Sequence, residues 1–388
     1  MIDESTSIPV TSLFFKEVQN DLQENFHPCM EKLHKEITTQ AEAIRSEIEN
    51  KGWIKEFNGD LLNEPVLGVD ASTVSRDYGE VSTALGVGVV SSTSEKVEPK
   101  YFYQAVYGTS SETFSKVASY IRVAQELAAL RYACDSNPNH WVMYDGSFNA
   151  LNMDLCKFAA SMPNDLNSSV DNEDFLLEWE LLKDSYRRCL LSVDSDWFTI
   201  FGQPNSKGVN RLISLSKKGI SKYYSRQLKA LSSITNNAFI PSDKLILGMV
   251  LQSNEYTSPV SYEQVFQGSS HGSNVPGYGK PNTGKDNNLE TQHKLVQETF
   301  KNMRIVNFRP WAWSPVMTIH YNKIACKLEE VLGVVKAQTK TRSVMEPMPL
   351  YLADLLSKQA SAVIKLYGEI NVGRYPKLFR AFRTSVRK

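Results

Sequence analysis

The chain has 388 residues, 41% of them hydrophobic and 22% charged, a composition that excludes wholesale disorder and fibrous repeats and fits a folded globular protein. Lys and Arg number 43 and Asp and Glu number 43, so any grip on nucleic acid has to come from local basic surface rather than from a global positive field. Cys29, Cys134, Cys156, Cys189 and Cys326 show no CxxC pair and no histidine at zinc-site spacing, and read as buried free thiols.

The opening segment MIDESTSIPVTSLFFKEVQ lacks the basic flank and long apolar run of a secretory signal, and no stretch reaches the ~18 apolar residues of a membrane span. A cytoplasmic setting is therefore expected. Residues 12–50 read as helix, bent or broken near Pro28, because proline has no amide to donate. In the second half Met30, Leu33, Ile37, Ala41, Ile44 and Ile48 recur at steps of three and four, a stripe for the chain's own core or for a partner helix. Residues 1–60 are expected as an N-terminal helical region and 61–388 as a larger α/β domain.

Strand signals start at Val66–Val69, continue through Val81 to Val90 and return at Tyr101 to Val106, which predicts a three-stranded meander. A helix is predicted from Ser111 to about Tyr132, then a buried strand over Trp141–Tyr144. Further on, 172–191 read as helix, Leu212–Leu215 and Leu245–Leu251 as strands, and 324–338 and 349–366 as helices. Residues 268–290 crowd Gly, Ser, Asn and Pro and predict a mobile surface loop. The tail Asn371–Lys388 carries six basic residues and no acidic one, interleaved with Tyr375, Phe379 and Phe382, a pattern suited equally to nucleic-acid contact and to a solvated tail.

Two segments carry the chemistry. Leu67-Gly68-Val69-Asp70-Ala71-Ser72 and Val142-Met143-Tyr144-Asp145-Gly146-Ser147 each put an aspartate at the end of an apolar strand. A carboxylate there opposes strand propensity and calls for backbone amides, a partner or a cation. Each alone also reads as a turn-making Asp. Together they supply the converging hard oxygens that Mg²⁺ or Mn²⁺ requires. Glu126, at ~100° per residue, falls at the margin of the helical stripe Phe114, Val117, Ile121, Ala124 and Ala128, where it can face either the sheet end or solvent.

These motifs, with carboxylates 56 and 19 residues apart, resemble those of the NurA nucleases, partners of HerA-type hexameric DNA translocases. The resemblance extends from about residue 60 onward. It adds Leu212-Ile213-Ser214-Leu215-Ser216-Lys217 and Pro347-Met348-Pro349-Leu350-Tyr351-Leu352-Ala353-Asp354, where this chain has Asp and other members histidine. It implies a ribonuclease H-like α/β core with a mixed sheet, N-terminal helices and a helical C-terminal part. It further implies Mn²⁺ or Mg²⁺ held by Asp70, Glu126, Asp145 and Asp354, with Lys217 as a catalytic phosphate-facing lysine. DNA is the implied substrate, a HerA-type translocase the implied partner, and a homodimer the implied assembly. An actin-like or sugar-kinase-like ATPase is the alternative fold reading, but the loop after Asp70 is poor in glycine and there is no P-loop. A non-catalytic translocase-docking protein is the other alternative.

Overall fold

The computed structural model describes residues 10–77, 81–94, 97–109, 112–136, 139–151, 200–201, 211–217, 221–231, 241–266 and 298–374. The helix predicted at 172–191, the loop at 268–290 and the basic tail beyond Arg374 lie outside them. Two compact units emerge, Met1–Ile54 with Ile220–Leu251, and Lys55–Gly219 with Gln252–Lys388. Among the described residues no helix is long and apolar enough to cross a membrane.

In the first unit α1 (Val10–Asp21) passes through one π turn, Leu22–Phe26, into α2 (His27–Asn50). The interruption falls where Pro28 predicts it. Proline has no amide for the carbonyl four residues back, and the amide of His27 instead reaches five residues back to the carbonyl of Leu22. Ile44 and Ile48 from the apolar stripe are fully buried. Glu47 receives the amides of Lys229 and Ala230 at 3.1 and 3.0 Å. Residues expected as a strand at Leu245–Leu251 instead form helix α3 (Asp243–Val250). A continuous apolar run has no period to read, and Ser242 decides the matter by accepting the Leu245 amide at its N-cap, 3.3 Å. Buried Asp243 accepts from the Ser221 hydroxyl and the amides of Tyr223 and Ser225, so its charge is satisfied locally.

The second unit is built on a mixed sheet. Its described strands are β1 (Ile54–Glu56), β2 (Val66–Asp77), β3 (Val81–Ser92), β4 (Lys100–Thr109), β5 (Trp141–Asp145), β6 (Leu212–Ser216), β7 (Glu255–Thr257), β8 (Val260–Ser261), β9 (Met303–Phe308) and β10 (Met317–Asn322). They lie in the order β1-β7-β9-β10-β6-β5-β2-β3-β4, with β8 beside β9. β2, β3 and β4 are the predicted antiparallel meander, while β5 runs parallel to both β2 and β6. The long helix α4 (Glu112–Ser136) packs on the meander, and α5 (Leu328–Gln338) and α6 (Met348–Arg374) follow β10.

Alternation along β2 and β3 assigns the helices to faces. A Cβ on Gly88 would meet the Gln125 carbonyl oxygen at 2.2 Å, and one on Gly68 would meet that of Pro349 at 2.1 Å. Gly88 pairs with Ala71, of opposite parity to Gly68, so α4 covers one face and the start of α6 the other. The α6 face carries Trp141, Met143, Ile213 and Leu215, which form one core with Val331, Leu332, Val335 and Leu350. Farther along, Leu85, Val87 and Val89 pack with Leu356 and Ala360. Helices on both sides thus bury both faces, as a sheet with parallel strands requires.

Candidate metal centre

β2 and β5 pair in parallel from Val66–Trp141 to Val69–Tyr144, and the next residue on each strand is an aspartate. Asp70 and Asp145 share the parity of Gly68 and Met143, so both side chains stand on the α6 face where the ladder ends. α6 brings the third acid. Its first turn can reach the sheet because Gly68 has no side chain, and the Ser91 hydroxyl donates to the Pro349 carbonyl at 2.8 Å. Two turns on, Asp354 offers an oxygen that lies within 4.8 Å of one from Asp70 and one from Asp145.

Three carboxylates this close strain one another. Burial, together with the charges of Asp145 and Asp354, pushes Asp70 up to about 6 even though Ser357 and the Ala71 amide stabilise its anion. Burial also raises Asp145, more than Lys217 can offset. The Lys217 ammonium lies 2.6 Å from Asp145 and 3.2 Å from Glu346, and these two carboxylates hold its proton more firmly than burial loosens it. Lys358 lies 2.6 Å from Asp354, its ammonium exposed and the carboxylate half-buried, a pair of small energetic weight. Hard oxygens, mutual repulsion and elevated carboxyl pKa values together suit a divalent cation.

Of the residues singled out in the sequence, Asp70, Asp145 and Asp354 converge, with Lys217 against Asp145. Glu126 is not one of the three. It is buried in α4, where it accepts from the Arg122 guanidinium at 2.9 Å and from the Tyr144 hydroxyl. Tyr144 precedes Asp145 and has the opposite parity, so it carries this contact on the α4 face. The margin position expected for Glu126 is fully enclosed, because α4 buries Val123, Leu127, Ala129 and Leu130 as well as Phe114, Val117, Ile121 and Ala124 of the predicted stripe, while Ala128 is only partly covered. His320 lies apart from the triad in β10, bonded to Tyr262 and held neutral by burial, which lowers it to about 3.

Three participants were not singled out in the sequence. Ser357 donates to Asp70 Oδ2 at 2.9 Å, while its own carbonyl accepts from Ser72 at 2.7 Å. Glu346 and Lys358 complete the charged surround. Lys358, four residues after Asp354, is the one that helical spacing could have suggested.

No family model matches the chain, and no curated protein does. Solved structures do. The NurA nuclease from Sulfolobus solfataricus aligns over 94% of this chain and 97% of its own at 13% identity, TM-score 0.48. NurA with manganese aligns over 89% and 98% at 12% identity, TM-score 0.50. NurA bound to dAMP and manganese aligns over 87% and 92% at 9% identity, TM-score 0.47. At these identities the likeness concerns the path of the backbone: a mixed sheet with helices on both sides, the fold of the NurA nucleases.

Proposed function

We propose that the chain is a divalent-metal-dependent nuclease of the NurA type, hydrolysing phosphodiester bonds in DNA with Mn²⁺ or Mg²⁺. The observation that carries this is the meeting of Asp70, Asp145 and Asp354 at the end of two parallel strands. A fold shared with a NurA crystallised with manganese supports it. The order β4-β3-β2-β5-β6, antiparallel and then parallel, supports a ribonuclease H-like core.

Asp70, Asp145 and Asp354 would hold the cation, and Glu126 is proposed as a further ligand that would have to leave both Arg122 and the α4 face, on the other side of the sheet from the three aspartates. When bound, the ion supplies a Lewis acid for the phosphoryl oxygen and lowers the pKa of water at neutral pH. Ser357 fixes the direction of the Asp70 carboxylate. Lys217, close to Asp145 yet half-exposed, offsets negative charge growing on the phosphate. A homodimer working with a HerA-type translocase in the cytoplasm, in DNA end processing, completes the proposal.

Purified protein incubated with labelled single- and double-stranded DNA in Mn²⁺, Mg²⁺ or EDTA, with and without a cognate translocase, tests it. Cleavage that needs the cation and disappears in Asp70→Asn is expected. Intact DNA under every condition overturns the nuclease assignment, and a 43.8 kDa species by light scattering overturns the dimer.

A further inference from the structure

Lys217 is shared between two carboxylates, and only one belongs to the acidic triad. Its ammonium is 2.6 Å from Asp145 Oδ2 and 3.2 Å from Glu346 Oε2. Glu346 sits in the link between α5 and α6, just ahead of Pro347, whose carbonyl receives the amides of Leu350 and Tyr351 in the first turn of α6. The residue before it, Met345, has φ 57°, a left-handed conformation uncommon outside glycine. The Val344 and Met345 amides close this turn on the Thr341 carbonyl at 3.1 and 3.3 Å. The Glu346 side chain is only 23% exposed. The link thus presents a half-buried carboxylate to the lysine rather than to open solvent.

With a cation held at the triad, Asp145 would have less charge to offer Lys217. A lysine tied to Asp145 alone would then either compete with the cation for that carboxylate or swing away on its flexible stem. A second anchor outside the triad removes both outcomes. We propose that Glu346 is a positioning residue: it holds Lys217 beside Asp145 and, by sharing the ammonium, frees the Asp145 carboxylate for a divalent cation. The inference rests on the metal-centre reading above.

Calorimetric titration with Mn²⁺ of the full chain, Glu346→Gln, Glu346→Asp, Lys217→Met and the double variant Glu346→Gln/Lys217→Met tests it, with circular dichroism establishing that each is folded. Glu346→Gln should weaken Mn²⁺ binding about fivefold, on the scale of one partly exposed ion pair. Glu346→Asp should restore most of the affinity. Without Lys217 the same Glu346→Gln change should have almost no effect, since no lysine remains to compete. In the cleavage assay Glu346→Gln should lower kcat at saturating Mn²⁺ with little change in KM for DNA. An equal loss of Mn²⁺ affinity in both Lys217 backgrounds overturns the proposal in favour of direct attraction between Glu346 and the ion. Unchanged affinity in Glu346→Gln, with normal binding by the wild type, overturns it alone. Absence of Mn²⁺ binding by the wild type overturns the metal centre and this inference together.

Discussion

Ser357 donates its hydroxyl to Asp70 one helical turn beyond Asp354, so a single helix both contributes an acid to the cluster and aims the acid opposite. The hydrogen bond is 2.9 Å long and buried.

Ser357→Ala should therefore leave the fold intact and lower cleavage about tenfold, because a hydrogen bond to a charged group is worth about 1.5–3 kcal/mol and part of that is lost in misdirecting Asp70. Mn²⁺ affinity measured beside turnover should fall with it. Turnover equal to wild type would mean that packing alone fixes Asp70.

The raised pKa of Asp70 has a stability consequence with a definite sign. Below the ordinary value of 3.8 the group is protonated in folded and unfolded chain alike and contributes nothing. Between 3.8 and about 6 the unfolded chain ionises first, so the folded state loses stability as pH rises, by roughly 3 kcal/mol at most once the window is passed. In EDTA, Asp70→Asn should accordingly melt above wild type at about pH 7 and converge with it near pH 4, while saturating Mn²⁺ should close the gap at neutral pH. An Asn variant that melts below wild type in EDTA at neutral pH would show that Asp70 stabilises the metal-free fold.

Gly68→Ala should be among the most damaging small substitutions in the chain. Its Cβ would lie 2.1 Å from the Pro349 carbonyl oxygen and 2.3 Å from the carbonyl carbon, backbone atoms that cannot rotate aside. A loss of about 2–3 kcal/mol is expected from overpacking, with displacement of α6 and of Asp354. Gly248→Ala, in α3 with nothing within 4 Å of the added carbon, is the control and should instead gain about 0.5–1 kcal/mol. Denaturant midpoints of the two variants decide the matter.

Glu126→Gln keeps an acceptor for Arg122 and Tyr144 but removes the charge. As a metal ligand or water-orienting group, Glu126 is expected to cost about 10–100-fold in turnover when neutralised, with DNA binding retained. Wild-type turnover under limiting Mn²⁺ would leave it as the buried counter-charge of Arg122.

The sequence displayed what repeats locally. Apolar strand signals set between polar turn-like segments mark β2, β3 and β4, and the twin Asp-small-Ser endings mark two of the three acids. β9 and β10 left no such trace. β10 is buried along its whole length, so its polar residues do not alternate with solvent. They pair internally, Thr318 with Asn307 at 2.8 Å and His320 with Tyr262. The helix at Asp243–Val250 reads as a strand in sequence for a related reason, since an apolar run lacks a period and the deciding signal is a single serine before it. Ser357 and Glu346 act through partners 287 and 129 residues away, and neither lies in a motif that would disclose it. Glu126 was legible as a residue but not as an environment, because one-sided periodicity does not reveal that a helix is enclosed on more than one side.

The seat of α6 on Gly68 and Ser91 also orders events in time. Ser91 and Pro349 are 258 residues apart in the chain, and Asp70 and Ser357 are 287 apart. At a synthesis rate of about 5–20 residues per second, the meander has roughly 10–50 s to form before the helix that docks on it exists. Throughout that interval Asp70 and Asp145 lack the crowding of Asp354 and the hydroxyl of Ser357. A sheet that pairs in that interval carries only the repulsion between Asp70 and Asp145, and the further charge of Asp354 and the hydroxyl of Ser357 arrive together, when α6 settles into place.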